Sequence, residues 1–239
     1  MNDLRIALVT GANKGIGLAV ARQLAQAGVR VILGARDVQR GQAAAESLIA
    51  KGLDVSTVAL DINDQASISA AASRIEAEHG RLDILVNNAG VFDPPDGPPG
   101  KADLDAVRRV LETNFIGTLA VTQAMLPLLR AAPKARIVNI SSSLGSLTLN
   151  GDPTSTYYSA RFIGYNASKA ALNMLTVQLN EELKGTGVVV NSVSPGFVKT
   201  DLTGYGTMTP DEGARLPVQF ALEGTESGLF FEPGGRTPW

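Results

Sequence analysis

The chain has no cysteine and a single histidine, His79. Without thiols there is no disulfide framework and no thiolate metal site, which agrees with a reducing compartment, and one imidazole removes histidine-based catalysis and most zinc sites. His79, in Ala77-Glu78-His79-Gly80 at the end of a helical pattern, reads as a solvated residue near a helix C-terminus. Aromatic residues are only 5% of the chain and charged residues 18%, and 21 Lys plus Arg nearly balance 23 Asp plus Glu, leaving a formal charge of -2. Nothing in that balance suggests a nucleic-acid partner. No apolar run approaches the ~20 residues of a membrane span. Met1-Asn2-Asp3 leads almost directly into an apolar strand, with no basic, apolar and small-residue leader. The expectation is a soluble, cytoplasmic protein without membrane or nucleic-acid partners and without a metal. At 239 residues, 44% of them hydrophobic, residues 1–239 can bury one α/β core, and no repeat, low-complexity tract or linker divides them.

Glycine, by contrast, is placed pointedly. Thr10-Gly11-Ala12-Asn13-Lys14-Gly15-Ile16-Gly17 follows the apolar run Arg5 to Val9 and opens the Ala-rich, helix-period segment Ile16 to Ala27. The order is strand, glycine turn, helix. Glycines let the backbone turn tightly, and the first amides of the helix, at its positive dipole end, then face a diphosphate. The predicted ligand is a dinucleotide. The spacing is G-x-x-x-G-x-G rather than the usual G-x-G-x-x-G, and a ligand-free glycine turn has the same local order.

Further strands are expected at Arg30 to Ala35, Val55 to Leu60, Leu82 to Val86, Ala135 to Ile140, Val188 to Val193 and Gly228 to Phe231. Between them run helices from the N-cap Asp37 to about Lys51, from Gln65 to His79 behind Asp64 and ended by Gly80, from about Leu104 to Arg130 with Pro127 bending the last turn, and from Tyr165 to Leu183. Strands alternating with helices imply right-handed crossovers. The predicted fold is a doubly wound α/β Rossmann fold, a mostly parallel sheet of about seven strands with helices on both faces. Val91 to Gly100, with four prolines and two glycines, is a loop. Ser141 to Gly164 has no sustained period, and an irregular segment of that length is usually functional. Thr209-Pro210-Asp211-Glu212 is a capping box opening a short helix.

Tyr165 and Lys169 lie four apart, on one face of a helix. A fixed ammonium, with the positive charge of an oxidised nicotinamide, favours the phenolate and draws the tyrosine pKa toward working pH. By itself the spacing also arises by chance.

Thr10-Gly11-x-x-x-Gly15-x-Gly17, Asn87-Asn88-Ala89-Gly90, Asn114, Asn139-Ile140-Ser141-Ser142, Tyr165-x-x-x-Lys169 and Pro195-Gly196 occur in one order over residues 5–200. In that order they resemble the short-chain dehydrogenase/reductase family. Thr10 to Leu18 and Ala35 to Gln42 look most like its carbonyl-reductase branch. The resemblance implies a catalytic set in which Ser142 binds the substrate oxygen, Tyr165 moves the proton, Lys169 lowers the tyrosine pKa and holds the ribose, and Asn114 keeps a water in the proton path. Ser141 and Ser143 compete for the serine role, and Asn114 also fits an ordinary helix position.

For the cofactor the resemblance implies contacts from Gly11, Asn13, Lys14, Gly15, Ile16 and Gly17 in the turn, Asp61 and Ile62 at the adenine, and Asn88, Ala89 and Gly90 along the adenosine side. Tyr165, Lys169, Pro195, Gly196, Val198 and Thr200 complete the set at the nicotinamide end, the last four in a loop at about 195–215. Asp61 equally suits a turn. An NAD enzyme of this architecture usually places an acid after the second strand, where this chain has Ala35 and then Arg36. Lys14 and Arg36 would bracket a 2′-phosphate, so the cofactor expected is NADPH/NADP+; both also fit solvated loop cations. The interval from Ser142 to Tyr165 is long, and the branch carries an insertion there, so an inserted segment at about 143–164 bordering the site is implied. Oligomeric state stays open between monomer and homo-oligomer.

The expected activity is NADPH-dependent reduction of a ketone or aldehyde of apolar or aromatic character, with Phe92, Leu144, Leu147, Tyr157, Phe162, Phe197 and Tyr205 as candidate pocket residues. Oxidation of a secondary alcohol with NADP+ and a non-catalytic dinucleotide-sensing role are the alternatives.

Overall fold

The computed structural model describes residues 4–239. Residues 1–3, expected to run straight into the first strand, lie outside them. The chain alternates β1 (Ile6–Thr10), α1 (Gly15–Gln26), β2 (Arg30–Ala35), α2 (Val38–Ile49), β3 (Val55–Ala59), α3 (Gln65–His79) and β4 (Ile84–Asn87). There follow α4 (Leu104–Leu111), a π-helical turn Glu112–Gly117, α5 (Thr118–Ala131), β5 (Arg136–Ile140), α6 (Leu147–Gly151), α7 (Ile163–Glu182), β6 (Val189–Val193), α8 (Pro210–Leu222), β7 (Leu229–Glu232) and β8 (Gly235–Arg236).

The strands form one sheet in the order β3-β2-β1-β4-β5-β6-β7-β8, parallel except for the final β7–β8 pair. Both faces are covered, so strands are apolar at successive positions rather than at alternate ones. In β1, Leu8 points to the face filled by Ile68, Met125, Leu129 and Leu172, while Ala7 and Val9 point to the opposite face with Val20, Leu24 and Leu48. The chain steps outward from β1 to β3 and then returns to the far side of β1 as β4. Ligands of open α/β sheets bind where the strand order reverses in this way, here beyond the carboxyl ends of β1 and β4.

Helix ends follow local chemistry. Asp37 accepts from Arg40 N–H at 3.0 Å and Asp64 from Ala66 N–H at 2.9 Å. Gly80 closes α3 at φ 69°, and Thr209 with Glu212 completes the capping box of α8. His79 sits at the end of α3 as expected, but its side chain is only 11% exposed, packed in rather than solvated.

Three elements differ from the sequence expectation. The sheet has eight strands rather than about seven, because the two-residue β8 folds back on β7 in a hairpin too short to carry a period. The helix expected over 104–130 is broken by the π turn 112–117. Gly117 in that turn presses its backbone against β3's extension, where a β-carbon would stand 2.6 Å from Ile62 O, and the wider turn accommodates the approach. The aperiodic stretch 141–164 is mainly turns, with a 3₁₀ turn at 143–145 and the short α6. It is fastened to the end of the chain: Thr148 N–H and Oγ1 donate to Trp239 O at 3.1 and 2.7 Å, and the Trp239 ring stacks on Phe230.

Gly145 lies where this stretch packs on α7, and a β-carbon there would fall 2.6 Å from Lys169 C and 2.7 Å from Lys169 Cβ. Gly145→Ala overpacks a backbone contact and is expected to cost ~1–3 kcal/mol of stability, read from the urea midpoint at unchanged m-value.

Candidate active site

Beyond the ends of β1 and β4 opens a cleft of ≈ 440 Å³. Its floor is the glycine turn. Gly11 and Gly15 take φ of 62° and 56°, a left-handed conformation that side chains disfavour. At Gly17 the constraint is space: a β-carbon would stand 2.4 Å from Asn88 Nδ2 and 2.5 Å from Gly11 O. Asn88 ties the crossing loops together by donating from Nδ2 to Thr10 O at 2.9 Å, while Thr10 Oγ1 accepts from the N–H groups of Asn88 and Ala89. α2, α3, α4 and α8 each carry a side-chain N-cap, but at the start of α1 the N-cap position is Lys14, whose side chain does not cap. The leading amides of α1 are left for a ligand on the cleft side. A β-carbon on Gly15 would meet only Thr200 Cγ2, at 3.8 Å, so the turn opens onto free space.

The other wall brings Tyr165 and Lys169 together on α7. Lys169 is 6% exposed, and its Nζ donates to Ile140 O at 2.9 Å and lies 5.6 Å from the Tyr165 ring centre. Burial lowers the ammonium pKa to about 8. Burial also pushes the Tyr165 hydroxyl up to about 12, with a hydrogen bond between it and Ser142 acting in the lowering direction. Desolvation of the phenolate is the larger of these two influences, and in the protein alone it holds the Tyr165 hydroxyl above the ordinary phenol value.

Asn114 sits in the π turn and is 1% exposed. Its Oδ1 accepts from Val91 N–H at 2.8 Å, and its Nδ2 donates to Val91 O at 2.9 Å and Ser168 Oγ at 3.0 Å. The side chain is therefore occupied in fixing the loop after β4 against α7, close to Gly90 and Lys169. Asp96, buried in the same proline-rich loop, accepts from Gly164 N–H at 2.9 Å and Tyr165 N–H at 2.7 Å, capping α7 at the tyrosine itself.

A cleft at a strand-order reversal, an uncapped glycine turn and a Ser-Tyr-Lys cluster point to one group of proteins. The sequence model described as short chain dehydrogenase matches residues 5–209. The chain belongs to the short-chain dehydrogenase family. It is 36% identical over 233 residues to a short-chain dehydrogenase of Penicillium roqueforti, covering 94% of this chain and 91% of that one. Human carbonyl reductase [NADPH] 1 is 35% identical over 259 residues, with 92% of each chain covered. Among solved structures, NADPH-bound carbonyl reductase from chicken fatty liver superposes with a TM-score of 0.86 at 33% identity, covering 99% of both chains. The protein is a short-chain dehydrogenase of the carbonyl-reductase-like kind, an oxidoreductase whose glycine turn and open cleft suit a nicotinamide dinucleotide.

In this short-chain dehydrogenase, Gly11, Asn13, Lys14, Gly15, Ile16, Gly17, Arg36, Asp61, Ile62, Asn88, Ala89, Gly90, Tyr165, Lys169, Pro195 and Thr200 all line the cleft. Gly196 instead turns the loop, at φ 87° with Met208 and Pro233 crowding its open side, and Val198 buries its side chain against Gly213. Asp61 both lines the cleft and forms a turn, its Oδ1 accepting from Asn63 N–H at 3.0 Å. Of the three serines Ser141 lines the cleft, its Oγ donating to Asn173; Ser142 is half-buried and hydrogen-bonded to Tyr165 without lining the cleft itself, and Ser143 Oγ donates to Glu232. Of the expected apolar pocket only Phe92 lines this cleft. It packs edge-on against Phe162 and Tyr165. Leu144 and Leu147 line a separate cavity of ≈ 230 Å³ with Phe162 and Ile163, and Tyr157 is bound to Glu232, because the 141–164 stretch folds down on α7 and the chain's end instead of onto the cleft. Asn63, Thr113 and Asp201 line the cleft unanticipated, as does the cap at Asp96. An Asp capping a helix some seventy positions away leaves no local pattern to find.

Two consequences are measurable. Asp96→Ala removes the cap of α7 and is expected to cost ~0.5–2 kcal/mol in urea denaturation, with Asp96→Asn retaining part of it. Lys169 holds fewer protons folded than unfolded between about 8 and 10.5, so its contribution to stability grows with pH across that window and is lost as pH falls through about 8. Tyr165 acts oppositely, its contribution being complete below 10.0 and lost as pH rises through about 12. Stability measured from pH 7 to 10 is expected to rise less steeply in Lys169→Met than in the wild type.

Proposed function

We propose that this chain is an NADPH-dependent reductase of ketones or aldehydes. The observation that supports this best is the clustering of three side chains, with Ser142 hydrogen-bonded to the Tyr165 hydroxyl and Lys169 Nζ 5.6 Å from the Tyr165 ring centre. A nicotinamide bound in the cleft supplies hydride chemistry. The residues of the chain do the rest. Ser142 donates a hydrogen bond to the carbonyl oxygen and steadies the negative charge that develops there. Tyr165, a protonated phenol, gives that oxygen its proton. The Lys169 ammonium, oriented by Ile140 O, stabilises the tyrosinate left behind, and its lowered pKa lets it pass a proton back. Asn114 and Asp96 hold the Val91 loop and the start of α7 so that these atoms keep their places.

The preference for NADPH rests on charge. β2 ends at Ala35 without an acid, and exposed Arg36 follows it at the cleft. The Asp37 carboxylate is engaged with Arg40 N–H and the Arg40 guanidinium. Lys14 and Arg36 are then the cations available to a 2′-phosphate. The names of the relatives, carbonyl reductase [NADPH] among them, agree with this reading. Phe92 and Leu202 on the cleft suit an apolar or aromatic substrate.

The test is consumption of NADPH and NADH with aldehydes, diketones and aryl ketones. Tyr165→Phe is expected to lower kcat by about 10²-fold or more while NADPH still binds. Arg36→Ala is expected to weaken NADPH about tenfold and leave NADH unchanged. Undiminished turnover in Tyr165→Phe would sink the proton-donor assignment.

A further inference from the structure

The loop after β6 crosses the front of the cleft and meets the glycine turn at two points. Thr200 Cγ2 approaches the open side of Gly15, and Lys14 Nζ donates to Asp201 Oδ2 at 2.8 Å. Lys14 and Asp201 both line the cleft and are exposed, their side chains 57% and 77% accessible. The two cations assigned to the 2′-phosphate are thus unequal. Arg36 has no acidic partner among the described residues, while Lys14 is already held by a carboxylate.

We propose that Asp201 is a specificity-determining residue that competes with the cofactor's 2′-phosphate for Lys14 and thereby limits the preference for NADPH over NADH. The inference rests on the reading of Lys14 and Arg36 as the phosphate pair. A dinucleotide with the 2′-phosphate gains Lys14 only by breaking the contact with Asp201, whereas one without it leaves that contact intact. The difference between the two cofactors is smaller by the strength of the pair. For an exposed ion pair that strength corresponds to about two- to fivefold in affinity and falls as salt screens it. Coupling of this kind is reciprocal: a 2′-phosphate drawing Lys14 away also releases Asp201, and with it the tether between the glycine turn and the loop bearing Leu202.

The experiment is calorimetric titration with adenosine 2′,5′-bisphosphate and with AMP, which lacks only the 2′-phosphate, on wild type, Asp201→Asn, Lys14→Ala and the double variant. Asp201→Asn is expected to bind the bisphosphate about two- to fivefold tighter with AMP unchanged, the gain shrinking at high salt and vanishing in the Lys14→Ala background. Unaltered bisphosphate affinity, equal tightening of AMP, or the same gain without Lys14 would each overturn the proposal. A wild type that binds the two ligands equally would instead refute the phosphate-pair reading, whereas a wild-type preference for the bisphosphate that Asp201→Asn leaves untouched would refute the competition alone.

Discussion

The placement of one ammonium group in a dry site is the constraint around which this molecule is arranged. Lys169 is carried by a helix, surrounded by protein, and given one carbonyl, Ile140 O, as its hydrogen-bond acceptor. A buried charge with so little compensation is costly, and the cost appears as an ammonium whose pKa falls to about 8. The surrounding features keep the group there. The end of β5 supplies the carbonyl, Gly145 lets the following turn lie directly on the Lys169 backbone, and Gly90 leaves room beside its Nζ. Tyr165, one helical turn earlier, stands half-buried on the cleft wall, and desolvation raises its hydroxyl.

A site of that kind needs strands and helices held in fixed register, and a row of buried polar side chains provides this just below the cleft. Asn87, Asn139 and Ser192 face one another across β4, β5 and β6. Asn87 Nδ2 donates to Asn139 Oδ1 at 2.8 Å and Thr122 Oγ1 at 3.0 Å, Asn139 Nδ2 donates to Thr176 Oγ1 at 2.8 Å, and Thr176 and Ser192 share a hydrogen bond of 2.8 Å. Apolar residues at these positions would pack in several registers. Amides and hydroxyls in low dielectric accept only the register that pairs them, and so they lock α5 and α7 to the strands whose ends carry Ser142 and Gly90.

What was legible in the sequence is what local chemistry determines. The doubly wound order, the caps at Asp37, Asp64 and Thr209, the glycine turn and the four-residue interval from Tyr165 to Lys169 follow from periodicity, turn residues and spacing. What was not legible depends on contacts between distant segments. Helix period runs through residues 104–130 without a break, yet the backbone widens into a π turn where Gly117 meets Ile62 and Asn114 meets Val91. The apolar residues Leu144 and Leu147 resembled pocket walls, but their direction is set by how the 141–164 stretch folds on α7. The surroundings of Tyr165 and Lys169 have the same origin: spacing shows that the groups are neighbours, while their burial depends on the segments that pack over them.

The serine proposed to bind the substrate oxygen shows how such distant contacts reach the cleft. Ser142 stands at the start of the irregular stretch, where regular secondary structure offers little support. Its neighbour Ser143 is anchored: Glu232, at the end of β7, accepts on one oxygen from Ser143 Oγ at 2.5 Å and from Tyr157 at 2.9 Å, and Ser194 Oγ lies 3.3 Å from Ser143 Oγ. Ser194 directly precedes Pro195 and its loop. A single carboxylate near the end of the chain thus joins the serine side of the cleft, the 141–164 stretch and the Pro195 side to the last parallel strand of the sheet. Long loops become precise when charged hydrogen bonds tie them to rigid elements, and here the rigid element is β7.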